Sequence, residues 1–327
     1  MLKVKHNSLF ILDTILTDDI SKAAELLKQG QIVAFPTETV FGLGALYNNK
    51  NAIQNIYKVK GRPSDNPLIV HISNFSQVQL LAKEVPRYAE LLMQHFWPGP
   101  LTLILNKQST VPAYTTSGLS TIAIRFPNAK IAQRLIELAG SPLVAPSANL
   151  SGKPSSTKHH HVIKDFDTLI PCILKGQSEY GIESTVIDCT QEKPIILRTG
   201  SVTKEQINNL GIQLNENMHN PAEKPLSPGM KYKHYAPKAK VVVISAQELN
   251  GLSVLGNKVA FIGLVQSSVN FAKKCLCNNL EEYAEQLYDF FRSADEEGVE
   301  IIYCQKTSGK GLGSALNNRI EKAAGNI

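Results

Sequence analysis

The sequence lacks the long apolar segment that marks a membrane protein. None of its stretches reaches the roughly 18 consecutive apolar residues that a transmembrane helix needs. The N-terminal residues mix Lys3, Lys5 and His6 with apolar side chains, which is unlike the apolar centre of a secretory signal. We therefore predict a cytoplasmic protein without a membrane partner.

Paired cysteines are also lacking. The chain has 5 cysteines, an odd number, and they are scattered: Cys172, Cys189, Cys275, Cys277 and Cys304. This pattern is typical of reduced thiols in the cytoplasm and excludes a disulfide-rich secreted scaffold.

Aromatic residues are scarce, and basic residues do not form stripes. Phe, Tyr and Trp make up 7% of the residues, and the formal charge is +6. A dedicated nucleic-acid-binding protein is expected to interleave clustered cations with aromatics. The modest positive charge instead fits an enzyme with anionic substrates, and it is compatible with a weak RNA contact.

Familiar catalytic and nucleotide-binding motifs are missing as well. Gly42-Leu-Gly44 begins like a dinucleotide-binding loop, but Tyr47 stands where the third glycine is needed. Gly309-Lys310 has neither the upstream glycine nor the following hydroxyl residue of a P-loop. No G-x-S-x-G elbow is present. His159-His160-His161 has no Cys or carboxylate at ligand spacing, so we predict a solvated loop or helix start and no metal site.

Short apolar runs alternate with helical patterns over the first two thirds of the chain. Helices are predicted at Asp18–Gln29, with Thr17 as the cap, and at Asn51–Val59 and Ala129–Ala139. The predicted strands are Ile32–Phe35, Leu68–Ile72, Leu101–Leu105, Ile122–Phe126, Leu143–Ala145, Leu169–Leu174, Thr185–Asp188 and Ile195–Leu197. Since some connections are too short for a helical crossover, the pattern predicts an α/β domain over residues 1–212 with a mixed sheet.

The pattern changes in the last third. Residues 213–240 are polar and proline-containing, which predicts a linker. Residues 241–327 alternate strand and helix, with strands at Val259–Leu264 and Glu300–Cys304 and helices at Leu280–Phe291 and Gly313–Ala324. This rhythm predicts a small second domain with a parallel sheet.

Polar clusters follow several of the predicted buried strands. The segment Phe35–Gly44 reads as a tight loop that presents hydroxyls and backbone N–H groups, or as a plain turn. Lys58, Lys60 and Arg62 suit a phosphate or carboxylate, with a solvated helix end as the alternative. Arg125 ends an apolar strand, where a buried arginine needs either a carboxylate ligand or a buried Asp or Glu.

The remaining clusters contain small hydroxyl and amide residues. They are Ser147-Ala-Asn149 with Ser155, Glu183-Ser184-Thr185 and Leu197-Arg198-Thr-Gly200. Together the clusters are rich in cations and hydroxyls and contain no activated nucleophile. Such a set suits a reaction in which bound substrates attack each other, because nucleotidyl transfer needs mainly positioning and charge neutralisation.

Several of these motifs, in this order, resemble one known family, the YrdC-type threonylcarbamoyl-AMP synthases in their long, two-domain form. The motifs are FPTETVFGLGA, KGRPSDNPLIVHI, FWPGPLTLIL, APSANLSGKPS, ESTVIDCT and SPGMKYKHYAP. The resemblance covers essentially the whole chain. It implies a twisted mixed parallel/antiparallel sheet with a large concave cavity, plus a smaller Rossmann-like parallel α/β domain. One departure is Phe41, where the family more often has Tyr.

The resemblance also implies a set of site residues. L-threonine would be held by Thr39, His71, Arg125, Ala145 and Ser184. ATP would contact Lys60, Arg62, Asn66, Thr121, Ser147, Asn149, Ser155, Arg198, Tyr232, His234 and Tyr235. Lys60 and Arg62 would be catalytic, by neutralising charge that develops on the phosphates.

The activity that the resemblance implies joins L-threonine, bicarbonate and ATP, with Mg²⁺ on the phosphates and no tightly bound organic cofactor. The product, threonylcarbamoyl-AMP, would pass to a transferase that modifies tRNAs reading codons that begin with adenosine. The linker around residues 227–237 would close over the cavity. An RNA-binding or ribosome-maturation protein that uses the same basic cavity is the alternative.

Overall fold

The computed structural model describes residues 13–215, 235–252, 256 and 258–325. Within these residues the chain forms a ten-stranded sheet and a separate four-stranded sheet. The strands of the larger sheet are β1 (Ile15–Thr17), β2 (Val33–Phe35), β3 (Gly42–Leu46), β4 (Ile69–His71), β5 (Leu101–Asn106), β6 (Thr121–Arg125), β7 (Leu143–Val144), β8 (Cys172–Leu174), β9 (Thr185–Asp188) and β10 (Ile195–Arg198). Their order across the sheet is β1-β8-β2-β3-β7-β4-β6-β5-β9-β10.

The larger sheet is mixed, which confirms the prediction. β4 pairs with β6, and β5 with β9, in parallel. β5 pairs with β6, and β9 with β10, in antiparallel fashion. Residues 189–194 join β9 to β10 and are too few for a helical crossover, so these strands must run in opposite directions.

Helices cover both faces of this sheet. They are α1 (Ile20–Lys28), α2 (Lys50–Lys60), α3 (Ser76–Leu81), α4 (Arg87–Phe96), α5 (Lys130–Ala139), α6 (His159–Phe166) and α7 (Lys204–Asn208), with a short 3₁₀ helix at Ala113–Thr116. Successive strand residues point to opposite faces. Accordingly Val33 and Phe35 pack with α1 and α5, whereas Ala34 packs with α2 and α4.

The predicted cap of the first helix is wrong by two positions. The Asp19 carboxylate, and not the Thr17 hydroxyl, accepts the first-turn hydrogen bond, from the Lys22 N–H at 3.0 Å. Thr17 ends β1, and its hydroxyl accepts from the Asp19 N–H at 3.0 Å. Strand β1 and helix α1 are therefore separated only by Asp18 and Asp19.

The predicted loop at Phe35–Gly44 is only partly a loop. Its second half is the central strand β3, which pairs with β2 and β7. A Cβ atom at Gly44 would lie 2.7 Å from the Phe35 ring, and one at Gly42 would lie 3.1 Å from it. The two glycines thus make room for a buried aromatic ring under a strand, a use of glycine that the sequence alone does not distinguish from a turn.

The second sheet is parallel throughout its described strands, as predicted. Its strands are β11 (Lys240–Ile244), β12 (Val259–Gly263), β13 (Lys273–Leu276) and β14 (Ile301–Gln305), in the order β11-β14-β12-β13. The helices of this region are α8 (Ala246–Asn250), α9 (Leu280–Glu296) and α10 (Gly311–Ala324). β13 escapes prediction because it is a half-exposed edge strand that begins with two lysines.

The histidine tract begins a helix, which confirms one of the two predicted alternatives, but it is not solvated throughout. His159 does begin α6, but His161 is buried, and its Nε2 lies 2.9 Å from Asp289 of α9. The Nδ1 of His161 accepts backbone N–H bonds from Thr157 and Lys158. The tract is therefore a contact to the second sheet's helices, made through a carboxylate that is far away in sequence.

None of the helices in the described part of the chain combines the length and the apolar character needed to cross a bilayer.

Candidate active site

A buried cavity lies where the polar clusters of the sequence meet. It is lined by Thr37, Thr39, Val40, Phe41, Gly42, Arg62, Ile69, His71, Arg125, Ala145, Pro146, Ser147, Glu183, Ser184, Arg198 and Tyr235. All five residues of the predicted threonine set are among them. Two larger depressions, of about 730 Å³ each, lie elsewhere and contain none of the predicted residues.

One end of the cavity is built around Arg125. His71 and Arg125 end the adjacent parallel strands β4 and β6 and lie directly opposite each other. The Arg125 Nη2 lies 2.8 Å from Glu38 Oε1, and its Nη1 donates to the Thr39 hydroxyl at 2.8 Å. The buried carboxylate that the sequence left open as a partner is therefore Glu38. The Arg125 Nε still has no hydrogen-bond partner among the residues that the structure describes.

His71 is neutral at this end of the cavity. Burial, followed by the positive charge of Arg125, lowers the pKa of His71 to about 3. Its Nδ1 lies 3.2 Å from the Ile69 carbonyl, so Nδ1 is assigned as the protonated nitrogen that donates to it. Nε2 is then the lone-pair nitrogen, available to accept a hydrogen bond.

The opposite end of the cavity carries two arginines. The Arg62 Nη2 donates to the Pro67 carbonyl at 3.1 Å, and burial lowers the pKa of Arg62 to about 10. The Arg198 Nε and Nη2 donate to the carbonyl and hydroxyl of Ser184, at 3.0 and 3.1 Å. Arg62 thus remains cationic near neutral pH, and both guanidinium groups are held by neutral oxygens.

The loop after β7 is held from behind by Lys60. The Lys60 Nζ donates to the carbonyl of Ser147 at 2.5 Å and also to that of Asn149. Burial, followed by the charge of Arg62, lowers the pKa of Lys60 well below its usual value. Lys60 does not line the cavity. Lys58, in the last turn of α2, is exposed, so the helix-end alternative is correct for it.

Other members of the predicted ATP set hold this loop or lie apart from the cavity. The Asn149 side chain accepts from the Ser147 hydroxyl at 2.5 Å and donates to the carbonyls of Leu150 and Lys153. The backbone carbonyl of Asn66 accepts from the Tyr57 hydroxyl at 3.2 Å, while its Oδ1 is buried without a described partner. Thr121 is half-buried at the end of β6 remote from Arg125.

A second buried carboxylate lies on the arginine side. Glu183 accepts a hydrogen bond from the Ser155 hydroxyl at 2.6 Å and is contacted by Arg319 and Tyr288 from the second sheet's helices. The backbone of Gly200 passes so close that a Cβ there would lie 2.6 Å from the Glu183 carbonyl. The sequence singled out the Glu183 motif without giving its carboxylate a role. Neither Glu183 nor Glu38 can be recognised without its arginine partner.

Tyr235 closes the arginine side. Its ring stacks on Tyr288 with centroids 5.5 Å apart, and its backbone has φ 67. Tyr232 and His234, the other predicted linker contacts, lie outside the described residues. With Tyr235 in place the cavity encloses about 50 Å³, well below the ~300–1,000 Å³ of typical ligand pockets. This is smaller than the large cavity that the resemblance implied.

Two family models match the chain. The Sua5/YciO/YrdC model, described as telomere recombination, matches residues 25–200. A model for the C-terminal domain of threonylcarbamoyl-AMP synthase matches residues 202–325.

Curated relatives and a solved structure extend over nearly the whole chain. Proteins named threonylcarbamoyl-AMP synthase from Pyrococcus abyssi and Bacillus subtilis are 44% and 42% identical, covering 93% and 99% of both chains. The crystal structure of P. abyssi Sua5 complexed with L-threonine superposes with a TM-score of 0.86 at 41% identity, covering 97% of this chain and 98% of that one.

Proposed function

The chain belongs to the threonylcarbamoyl-AMP synthase family, and from this membership we propose that it converts L-threonine, bicarbonate and ATP into threonylcarbamoyl-AMP and pyrophosphate. In reaction class this is a nucleotidyl transfer. The observation that carries the proposal is that carboxylate-binding and phosphate-binding groups converge on one buried cavity. The name "threonine side" denotes Thr39, His71, Arg125 and Ser184 below, and the name "ATP side" denotes Arg62, Ser155, Arg198 and Tyr235.

On the threonine side, Arg125 binds the substrate carboxylate. Its unpaired Nε supplies a donor, and Glu38 and Thr39 fix the direction of the guanidinium plane. The neutral His71 accepts a hydrogen bond from the threonine hydroxyl or amine through Nε2. A fully protonated ring could not accept one.

On the ATP side, Arg62 and Arg198 neutralise the phosphates. Lys60 acts indirectly: its two contacts to backbone carbonyls fix the loop that presents Ser147 to the cavity. Asn66, Thr121 and Asn149 remain predictions as ATP contacts. Binding ATP requires that Tyr235 move away, since about 50 Å³ cannot hold a nucleotide. The Tyr235 side chain is therefore a movable cover in this proposal.

The reaction follows from this placement. The threonine amine attacks bicarbonate, water leaves, and an N-carboxylate forms. A carbamate oxygen then attacks the α-phosphate of ATP, and the bond to pyrophosphate breaks. No protein nucleophile is needed, and exclusion of water protects the labile mixed anhydride.

Magnesium enters as part of the substrate. Glu183, the carboxylate that lines the cavity, pairs with Arg319, and the neighbouring Glu38 pairs with Arg125, so both are poor ligands for a resident cation. ATP therefore carries its own Mg²⁺ into the site.

The decisive experiment measures pyrophosphate release from ATP by the purified chain, with and without L-threonine and bicarbonate. Release that requires both substrates, and that is lost in Lys60→Ala and Arg125→Ala variants, is the expected result. Release that is independent of threonine would show a different acceptor.

The RNA-binding alternative is not favoured by the family or by the small, enclosed cavity, which has no room for splayed bases. Salt-sensitive RNA binding without pyrophosphate release would revive it. The product would be passed in the cytoplasm to a transferase that modifies tRNA, with at most a weak RNA contact here.

A further inference from the structure

Two side chains of the second sheet's helices reach the cavity wall. Arg319 of α10 is 0% exposed, and its Nε lies 2.9 Å from Glu183 Oε2. The hydroxyl of Tyr288, from α9, donates to the same oxygen at 3.1 Å. Glu183 itself lines the cavity, so both helices contact a cavity residue directly.

This contact extends to the ATP side. The other carboxylate oxygen of Glu183 accepts from Ser155 at 2.6 Å. The Arg319 Nη2 donates at 2.8 Å to the carbonyl of Thr199, which follows Arg198. The Arg319 guanidinium also lies 5.3 Å from the centre of the Tyr235 ring. Arg319 is therefore linked to Ser155, to the Arg198 segment and to Tyr235 at once.

The charge of Glu183 makes this arrangement necessary. Burial alone would raise the pKa of Glu183, but Arg319, then Arg198 and the Ser155 hydroxyl, outweigh burial and hold this pKa below its usual value. Glu183 is therefore an anion inside a cavity proposed to receive a triphosphate. At low dielectric an uncompensated anion would repel that ligand strongly.

We propose that Arg319 is a positioning residue for ATP, which cancels the charge of Glu183 and thereby keeps Ser155 and Arg198 in binding geometry. This inference rests on the proposed function for the identity of the ligand. It makes the second domain a working part of the nucleotide site. A purely structural arginine that joins the two sheets is the competing explanation.

The two explanations differ in a rescue experiment. ATP affinity is measured by calorimetry on the full chain without threonine, for wild type, Arg319→Met and the double variant Arg319→Met/Glu183→Gln. We expect Arg319→Met to weaken ATP binding at least about tenfold, and the double variant to recover most of that loss because the repelling charge is gone. The KM for threonine should change by less than about twofold.

A matched control removes a different buried carboxylate. Asp165 pairs with Arg292 of α9 at 2.7 Å but does not line the cavity. Adding Asp165→Asn to Arg319→Met should not restore ATP binding. Equal weakening of ATP and threonine binding without rescue by Glu183→Gln would overturn the proposal and leave Arg319 as structural.

Milder variants cover the case in which Arg319→Met does not fold. Tyr288→Phe removes one hydrogen-bond donor to Glu183. Arg319→Lys keeps the positive charge but loses the planar guanidinium, which donates several hydrogen bonds at once. Each should weaken ATP binding about two- to fivefold, the value of one hydrogen bond. Wild-type ATP affinity in both folded variants would overturn the proposal.

If the wild type binds ATP but forms no product, the proposed function fails while these binding comparisons still decide the role of Arg319.

Discussion

The two sides of the cavity are stabilised in different ways. On the threonine side, Arg125, Thr39 and Glu38 all belong to the large sheet and its loops, and they form a closed set of short contacts. On the ATP side, Ser155 reaches Arg319 and Tyr288 through Glu183, so the geometry depends on α9 and α10 of the second sheet. One side is therefore complete within one sheet, and the other is shared between two.

The threonine side can therefore be rigid, whereas the ATP side must change shape when its ligand binds. A small amino acid can be bound by a preformed pocket. ATP needs more room than the cavity offers while Tyr235 lines it, and the Tyr235 ring packs against Tyr288 and Arg319, both in the second sheet's helices. The ATP side should respond to changes in the second sheet's helices, whereas the threonine side should not.

Arg125→Ala should have the largest effect, and it should be confined to the threonine side. Arg125→Ala leaves the threonine carboxylate without its buried partner, which costs about 3–5 kcal/mol and corresponds to a rise of about 10²–10⁴-fold in the KM for threonine. The Kd for ATP should stay within about twofold. Both constants are measured by pyrophosphate release and calorimetry.

The control is Arg134→Ala, because the side chain of Arg134 on α5 is 59% exposed and forms a surface pair with Glu137. A parallel loss of ATP affinity in Arg125→Ala, but not in Arg134→Ala, would show that the two sides are not independent.

Lys60→Met should have the next largest effect, on the ATP side. The substitution leaves the buried carbonyl of Asn149 without its lysine donor, at about 1–3 kcal/mol, and leaves the Ser147 carbonyl with only the Asn149 N–H. ATP binding should weaken about 10–100-fold, because the loop that carries Ser147 loses its support. The exposed neighbour Lys58 provides the control variant Lys58→Met. If Lys60→Met lowered only kcat, Lys60 would act on the reacting phosphate and not on the loop.

Local sequence patterns predict most of the elements but not the network between them. Buried strands such as Thr185–Asp188 stand out because a short apolar run is bounded by turn residues. Three strands escape prediction: β1 is only three residues long, β3 contains two glycines, and β13 is polar. The order of the strands in the sheet could not be predicted either, because it depends on pairings between segments that are distant in the sequence.

The site shows the same division. Arg125 could be predicted from the residues alone, since a charged residue at the end of an apolar strand needs a partner, whereas the role of His71 came from the family resemblance. The pairs Glu38–Arg125 and Glu183–Arg319 could not be predicted, because their members lie 87 and 136 residues apart in the sequence. His161 is the same case, since its carboxylate, Asp289, lies on a helix of the other sheet.

Acid should destabilise the threonine side through His71. Its pKa is about 3 in the folded chain and about 6.5 when unfolded, so only the unfolded chain binds a proton between these values. Stability from this group is complete above pH 6.5 and is lost as the pH falls towards 3. Between pH 7.5 and 5.0 the wild type should lose about 2 kcal/mol more unfolding free energy than His71→Asn. Urea unfolding at both pH values measures this, and equal losses in the two proteins would show that His71 becomes protonated without unfolding.

Asp289→Asn should have the smallest effect, and it tests whether every contact between the two sheets matters for ATP binding. Asp289 joins the two sheets outside the cavity, through Lys158 at 2.9 Å and His161 at 2.9 Å. An asparagine can still accept from His161, so only the attraction to the partly exposed Lys158 is lost, at about 0.2–1 kcal/mol. Urea unfolding should detect that small decrease, while the Kd for ATP and the KM for threonine should stay at the wild-type values. Asp289 and Arg319 both join the second sheet's helices to the rest of the chain, but of the two only Arg319 contacts a cavity residue. A normal ATP affinity in Asp289→Asn would therefore show that the second sheet's helices affect ATP binding through the Arg319–Glu183 contact. A tenfold weaker affinity would mean instead that any contact between the sheets controls the ATP side.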